Sequence, residues 1–140
     1  MSSTLDAIAD RFLAAYNHAE IEAVAALYSE DGWHGDAATG HRKTGRDEIA
    51  GGLRYFLSAL PDAQWRETGR INAEKGLVLL YAFEGHLERR LGSFDGFGQL
   101  IKFDGAFLMT PSTSGNLAST LDYWNPQVFA RQAMLDAERT

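Results

Sequence analysis

Four runs between residues 63 and 124 decide the fold: AQWRETGRINA (63–73), GLVLLYAFEGHLERR (76–90), GQLIKFDGAFLMT (98–110) and NLASTLDYW (116–124). Apolar and polar residues alternate along each run, the period of a half-buried strand. Turn-forming stretches separate them: Glu74-Lys75-Gly76, the loop from Gly92 to Gly98, and Pro111 to Gly115. Parity assigns faces within each strand. On the second, Leu79, Tyr81 and Phe83 share one face, while Glu84 and His86 share the other. On the fourth, Asp122 shares a face with Thr120 and Trp124, opposite Leu121 and Tyr123.

Before these runs the apolar spacing is helical. Leu5, Ile8, Ala9, Phe12, Leu13 and Tyr16 recur at three- and four-residue steps behind Ser3-Thr4-Leu5-Asp6, which has the spacing of a capping box. Asn17-His18 interrupts this helix. A second follows in AEIEAVAALY, with Ile21, Val24, Ala25 and Tyr28 on one stripe, and ends at the polar turn Ser29-Glu30-Asp31-Gly32. Trp33-His34 then forms a short strand, with Asp36 just beyond and a loop from Gly40 to Gly45. The third helix takes Thr44 as its N-cap, with Asp47 three residues on. It carries Ile49, Leu53, Phe56, Leu57 and Leu60, and stops at Pro61. Gly51-Gly52 inside it costs roughly 1 kcal/mol per glycine relative to alanine, which points to close helix-sheet packing. Three helices followed by four long antiparallel strands predict an α+β domain rather than βαβ winding.

The 140 residues are 45% apolar with no low-complexity tract, which bounds the chain to one domain, 1–140, large enough for a core and a pocket. The N-terminus has no signal-like pattern and no apolar run approaches a bilayer span, so a soluble, cytoplasmic protein without membrane contact is expected. Zero cysteines remove disulfides and thiolate chemistry. A net charge of -6 argues against nucleic-acid binding, and His41-Arg42-Lys43 with Arg46 reads as a solvated loop. His18, His34, His41 and His86 show no metal-ligand spacing, so no metal and no cofactor are expected. Gly96-Phe97-Gly98 is not a phosphate loop, and no GxSxG elbow is present.

Asp122 is the residue that needs a reason. A carboxylate among Leu, Tyr and Trp must be hydrogen-bonded, paired or protonated, and burial raises its pKa toward the range that acid/base catalysis uses. The segment around it, DYWNPQVFARQ, resembles the closing strand and C-terminal turn of the SnoaL-like polyketide cyclases of the nuclear-transport-factor-2-like (NTF2-like) superfamily. Arg131-Gln132 matches the pair that ends their domain, although Ala133-Met134 stands where Leu-Gly is usual and Asn125 where Asp is frequent. RFLAAYNHAEIEAVAALYSEDGWHG resembles the opening of the same family. The resemblance implies an NTF2-like cone in which three N-terminal helices pack on a strongly curved antiparallel sheet and enclose a pocket. It also implies a homodimer through the outer sheet face, and Asp122 as the acid/base aspartate.

By the same resemblance Tyr16 lines the pocket and His34 reaches it, the structural alternative being a histidine bonded to a loop carbonyl. His86, in EGH, matches a family histidine; alternatively it faces outward and pairs with Glu84 or Glu88. Phe107 stands where some cyclases place a second histidine. Asp36 lies near the base of the related steroid isomerases, whose first-helix oxyanion tyrosine is matched here by Phe12. These residues imply a small-molecule substrate, an aromatic or polycyclic ketone or ester, enclosed by Tyr16, Trp33, Phe56, Phe107 and Trp124. Asp122, assisted by His34 or His86, would move a proton on it and promote intramolecular aldol closure. The alternatives are a steroid-isomerase-like shuttle with Asp36 as base, and a non-catalytic binding or dimerisation module.

Overall fold

The computed structural model describes residues 4–138, and side chains as far as Met134. Its elements are α1 (Thr4–Asn17), α2 (Ile21–Ala26), β1 (Tyr28–Asp36), β2 (Arg42–Thr44), α3 (Arg46–Ala59), β3 (Gln64–Ala73), β4 (Gly76–Leu87), β5 (Gln99–Pro111), β6 (Leu117–Tyr123) and α4 (Pro126–Glu138). The six strands form one curved, unclosed sheet in the order β2-β1-β6-β5-β4-β3. The α+β class and the four long strands agree with the alternation in the sequence.

The sheet is mixed rather than antiparallel, because β1 lies parallel to β6 while every other neighbour is antiparallel. A parallel pair needs a long crossover, and α3 with β3, β4 and β5 supplies it. The helices number four, since Pro126 opens α4 where a turn was expected. Proline suits the first helical position, and Asn125 Oδ1 caps the helix by accepting from the Gln127 N–H at 2.9 Å. Two boundaries also move. Tyr28 to Gly32 belong to β1 instead of α2 and its turn, and Arg42 to Thr44 form an edge strand instead of a loop. The N-cap of α3 is Gly45, at φ 89°, and its first turn is tied by the Thr44 N–H donating to Glu48 Oε1 at 3.0 Å. Ser3 lies outside the described residues.

α1 and α3 pack their apolar stripes against the concave face of the sheet. Phe12, Tyr16, Trp65, Tyr81, Phe83 and Phe107 are all buried there. Their rings interlock in edge-on and tilted contacts, such as Phe12 to Phe107 at 5.2 Å and Tyr16 to Trp65 at 4.8 Å between centroids. The paired glycines of α3 serve only partly as expected. A Cβ at Gly52 would meet the Lys43 side chain at 3.4 Å, whereas one at Gly51 would meet open space.

Amide side chains cover the backbone that the sheet leaves unpaired. At β3, Asn17 donates through Nδ2 to the Trp65 carbonyl at 2.9 Å and accepts from the Trp65 N–H at 2.7 Å. Where β5 runs past the end of β6, Gln132 of α4 brackets Lys102 in the same way, at 2.6 and 2.8 Å. Arg70 fastens α1 to β3, reaching Asp6, Asp10 and Glu67 at 3.2, 2.7 and 2.8 Å.

Candidate functional site

The parallel register of β1 and β6 places His34 beside Thr120 and Asp36 beside Asp122. All four therefore share the concave face, and Trp33, Gly35, Ser119 and Leu121 share the other. Asp122 Oδ1 accepts from the Tyr81 hydroxyl at 2.7 Å. Asp36 Oδ1 accepts from Trp124 Nε1 at 2.9 Å and from the Ala38 N–H at 3.0 Å. His34 Nδ1 lies 2.7 Å from Thr120 Oγ1, which also meets the Tyr28 hydroxyl at 2.5 Å.

A bulge makes the last contact possible. Between the pairs Tyr28↔Leu117 and His34↔Thr120, β1 advances six residues (34 − 28) while β6 advances three (120 − 117). Gly32 sits in the bulge, where a Cβ would lie 3.0 Å from both the Ser29 carbonyl oxygen and Tyr28 Cβ.

Tyr81 reaches Asp122 across β5 because Gly105 stands between them. Tyr81 is paired in register with Gly105, and a Cβ there would sit 2.3 Å from the Tyr81 hydroxyl oxygen. Tyr81 and Gly105 are the functional pair that the sequence reading missed. Alternation placed Tyr81 on the inward face, but only the register shows that it meets a glycine.

Burial and charge set the protonation states. The Asp122 carboxyl is pushed up to about 7, chiefly by desolvation and further by the Asp36 charge, against the lowering effect of the Tyr81 hydrogen bond. Burial pushes His34 down to about 4, partly offset by the Asp36 carboxylate. Tyr16, Tyr28 and Tyr81 are raised by burial and stay protonated. At neutral pH the site thus holds a neutral imidazole and a carboxyl near its midpoint, poised to take or give a proton.

Not every nominated residue joins this cluster. His86 faces outward on β4 and is half-exposed, because its parity is that of Glu84 rather than of Tyr81 and Phe83. Its partner is neither Glu84 nor Glu88 but Asp62, whose carboxylate accepts from the His86 N–H at 2.8 Å and lies 2.6 Å from Nδ1. Trp33 neighbours His34 on one strand, so the two cannot both face inward. Its ring lies on the convex face with the Arg42 guanidinium 3.6 Å above it. Phe107 and Tyr16 belong to the buried aromatic core, 1% and 6% exposed.

Phe56, Phe103 and Trp124 are only partly buried and border that core. Trp124 lies 5.6 Å from Phe103, and Phe56 lies 5.8 Å from Phe83, between ring centroids. Two clefts open elsewhere. One, of about 510 Å³, is lined by Trp65, Arg66, Ala82 and Lys102 among others, and one of about 470 Å³ by Ser29, Asp31, Trp33 and Ser112 among others; neither includes Asp122, Asp36 or His34. Among the described residues, no three His, Cys, Asp or Glu side chains are grouped to hold a metal ion, and no helix is long and apolar enough to cross a membrane.

Comparison with known proteins gives the arrangement a context. A family model described as a SnoaL-like domain matches residues 9–120. A candidate polyketide cyclase from Xanthomonas campestris pv. campestris superposes with a TM-score of 0.84 at 20% identity, over 93% of this chain and 96% of its own. A candidate SnoaL-like polyketide cyclase from Shewanella denitrificans gives 0.85 at 12% identity, over 96% and 99%. TerC, crystallised with polyporic acid, gives 0.78 at 15% identity, over 94% of this chain and 99% of its own. At these identities the structures share the fold. No curated protein matches the chain by sequence.

Proposed function

Because the chain belongs to the SnoaL-like domain family, we propose that it is an acid/base catalyst of the polyketide-cyclase type, closing an enolisable, aromatic or polycyclic polyketide-like ketone or ester by intramolecular aldol addition. One observation carries this reading. Asp122 sits on the concave face with its pKa raised to about 7, held by Tyr81 and in line with Asp36.

In the ionised state Asp122 removes a proton from the carbon between two carbonyls. The enolate carbon then attacks a second carbonyl carbon of the same molecule, forming the C–C bond. The resulting alkoxide takes back the proton from Asp122. No electron leaves the substrate, so the cycle balances without an oxidant or a covalent intermediate. Acidity of the carbon comes from the substrate, and the protein adds a positioned carboxylate and hydrogen-bond donors. Phe56, Phe103 and Trp124 offer aromatic faces to a flat ligand, and the polyporic acid crystallised with TerC supports that choice.

The experiment is deuterium exchange at the activated carbon of an aromatic β-diketone, followed by NMR. Wild type accelerates exchange, and Asp122→Asn loses about 10²-fold or more. Exchange that survives Asp122→Asn but disappears in Asp36→Asn moves the base to Asp36 and the reaction to isomerisation. A wild type that accelerates nothing leaves a binding module.

We also propose a homodimer through the convex face. That face exposes Ile71, Leu100 and Tyr123, at 56%, 43% and 48%, and carries both signs of charge in Arg66, Lys102 and Asp104. Light scattering at micromolar concentration is expected to give the mass of two chains. A mass of one chain overturns the dimer.

A further inference from the structure

His34 has two ring nitrogens, and the hydrogen bonds around it decide which one carries the proton. Tyr28 is fully buried, and among the described residues its hydroxyl oxygen meets only Thr120 Oγ1, at 2.5 Å. Among the described residues Thr120, equally buried, has hydrogen-bond contact through Oγ1 with the Tyr28 hydroxyl and His34 Nδ1 and with no other side chain. Between them the three groups can distribute their hydrogens in three ways.

In the first, Tyr28 donates to Thr120 and Thr120 donates to His34 Nδ1. Every hydrogen then has an acceptor, and the imidazole proton sits on Nε2. In the second, His34 Nδ1–H donates to Thr120 and Thr120 donates to Tyr28. The Tyr28 hydrogen is then left in the core without an acceptor, which carries the desolvation penalty of an unmade hydrogen bond. In the third, Thr120 accepts from both Tyr28 and His34 Nδ1–H, and its own hydrogen is the one left without an acceptor. The first arrangement is selected because it alone leaves no hydrogen unpaired.

The other nitrogen is open. Among the described residues Nε2 has no hydrogen-bond partner, yet no side-chain nitrogen or oxygen is both buried and unpartnered. Nε2 is therefore reachable from outside, on the face that also presents Asp36 and Asp122.

We propose that Thr120 is a positioning residue that fixes His34 as the neutral Nε2–H tautomer, so that His34 offers a hydrogen-bond donor, not a base, to the carbonyl oxygen of the substrate. The tautomer follows from the geometry of this chain alone, and its use toward a carbonyl rests on the proton-transfer reading above. The low basicity of His34 agrees with a ring that stays neutral through the cycle. The labour is thereby divided: Asp122 moves the proton, and His34 stabilises the oxygen on which negative charge develops.

Thr120→Val is the sharp test, because it removes the hydroxyl that donates to Nδ1 and keeps the branched shape that fills the core. In Tyr28→Phe the Thr120 hydroxyl still donates to Nδ1, and an Nδ1–H tautomer would still leave the threonine hydrogen without an acceptor, so the single tautomer is kept. Long-range ¹⁵N–¹H correlation on the labelled protein is expected to show His34 as a single Nε2–H tautomer in wild type and in Tyr28→Phe, and as a mixture with Nδ1–H in Thr120→Val. Thr120→Ser, which keeps the hydroxyl, restores the single tautomer. A wild-type His34 protonated on Nδ1, or a tautomer unmoved by Thr120→Val, overturns the assignment. The spectra read the tautomer whether or not the β-diketone exchanges, so this failure and that of the proposed reaction are separable. Where exchange is accelerated, Thr120→Val lowers it about tenfold, a part of the roughly 10²-fold that a lost oxyanion donor costs. An unchanged rate in a Thr120→Val protein whose tautomer has shifted overturns the donor role.

Discussion

Asp122→Asn is expected to stabilise the folded protein by about 2 kcal/mol at pH 8 while leaving its stability at pH 4 nearly unchanged. The sign follows from the direction of the shift. The carboxyl rises from 3.8 in the unfolded chain to about 7 in the folded one, so the folded state holds the proton more tightly. Its contribution is fully present below pH 3.8 and is lost as pH rises through 7. At pH 8 the ionised side chain costs up to about 4 kcal/mol, from the two pKa values and 1.36 kcal/mol per unit. Asparagine is neutral at every pH and can still accept from Tyr81, so it recovers a substantial part of that cost.

His34 works in the opposite direction. Its pKa falls from 6.5 to about 4, so its contribution is present above pH 6.5 and is lost as pH falls toward 4. In wild type the two groups offset each other between pH 4 and 6.5. In Asp122→Asn only the histidine remains, and stability is expected to fall on acidification through that window. Urea denaturation at pH 4.5, 6 and 8 measures both effects. A variant less stable than wild type at pH 8, or an offset that does not change with pH, refutes the account of a carboxyl destabilised by burial. A carboxylate that costs stability where it would do chemistry is an expected trade between the two.

Gly105→Ala should be among the most damaging single-methyl additions in the chain. Its Cβ would fall 2.3 Å from the Tyr81 hydroxyl oxygen, 2.4 Å from the ring carbon that bears it and 2.8 Å from the Tyr123 carbonyl oxygen. The first contact could be relieved only by swinging Tyr81, a buried ring packed 4.9 Å from Phe107 between centroids. The last is backbone and belongs to β6, so relief there disturbs the strand that carries Asp122. Overpacking of this kind costs about 1–3 kcal/mol, and the lost Tyr81 bond to the carboxylate adds about 1–2.

A second signature separates displacement of Tyr81 from general strain. Without the Tyr81 hydrogen bond, the one influence that lowers the Asp122 pKa is gone, so the carboxyl should titrate higher than in wild type. Carbon-detected NMR titration of Asp122 reads this directly. Unchanged titration and unchanged thermal stability together would mean that the chain accommodates the methyl group without moving Tyr81.

Much of this was legible from residue order, and the reasons are local. Strand alternation is a property of consecutive residues, so it placed Thr120, Asp122 and Trp124 on one face and Tyr123 on the other before any partner strand was known. It also put Glu84 and His86 opposite Tyr81. The nomination of His86 came from the family resemblance and ran against that parity; Trp33 was nominated together with its strand neighbour His34, although alternation sends the two to opposite faces, and the structure keeps the parity. The helix at Pro126 was missed although its signal is equally local: an asparagine cap followed by proline at the first turn.

What the sequence by itself determined is therefore the α+β class, the long strands, the stripes of α1 and α3, and the inward side of each strand. These depend on periods of 3.6 and 2, which are set by bonded geometry within a few residues. Only the tertiary structure decided that β1 lies parallel against β6, with His34 and Asp36 beside residues 86 positions away, and that Tyr81 meets a glycine on the next strand. Which strand becomes a neighbour, and in what register, is fixed by burying the apolar faces of α1, α3 and the sheet together. That energy is shared across the whole core and is written in no single segment.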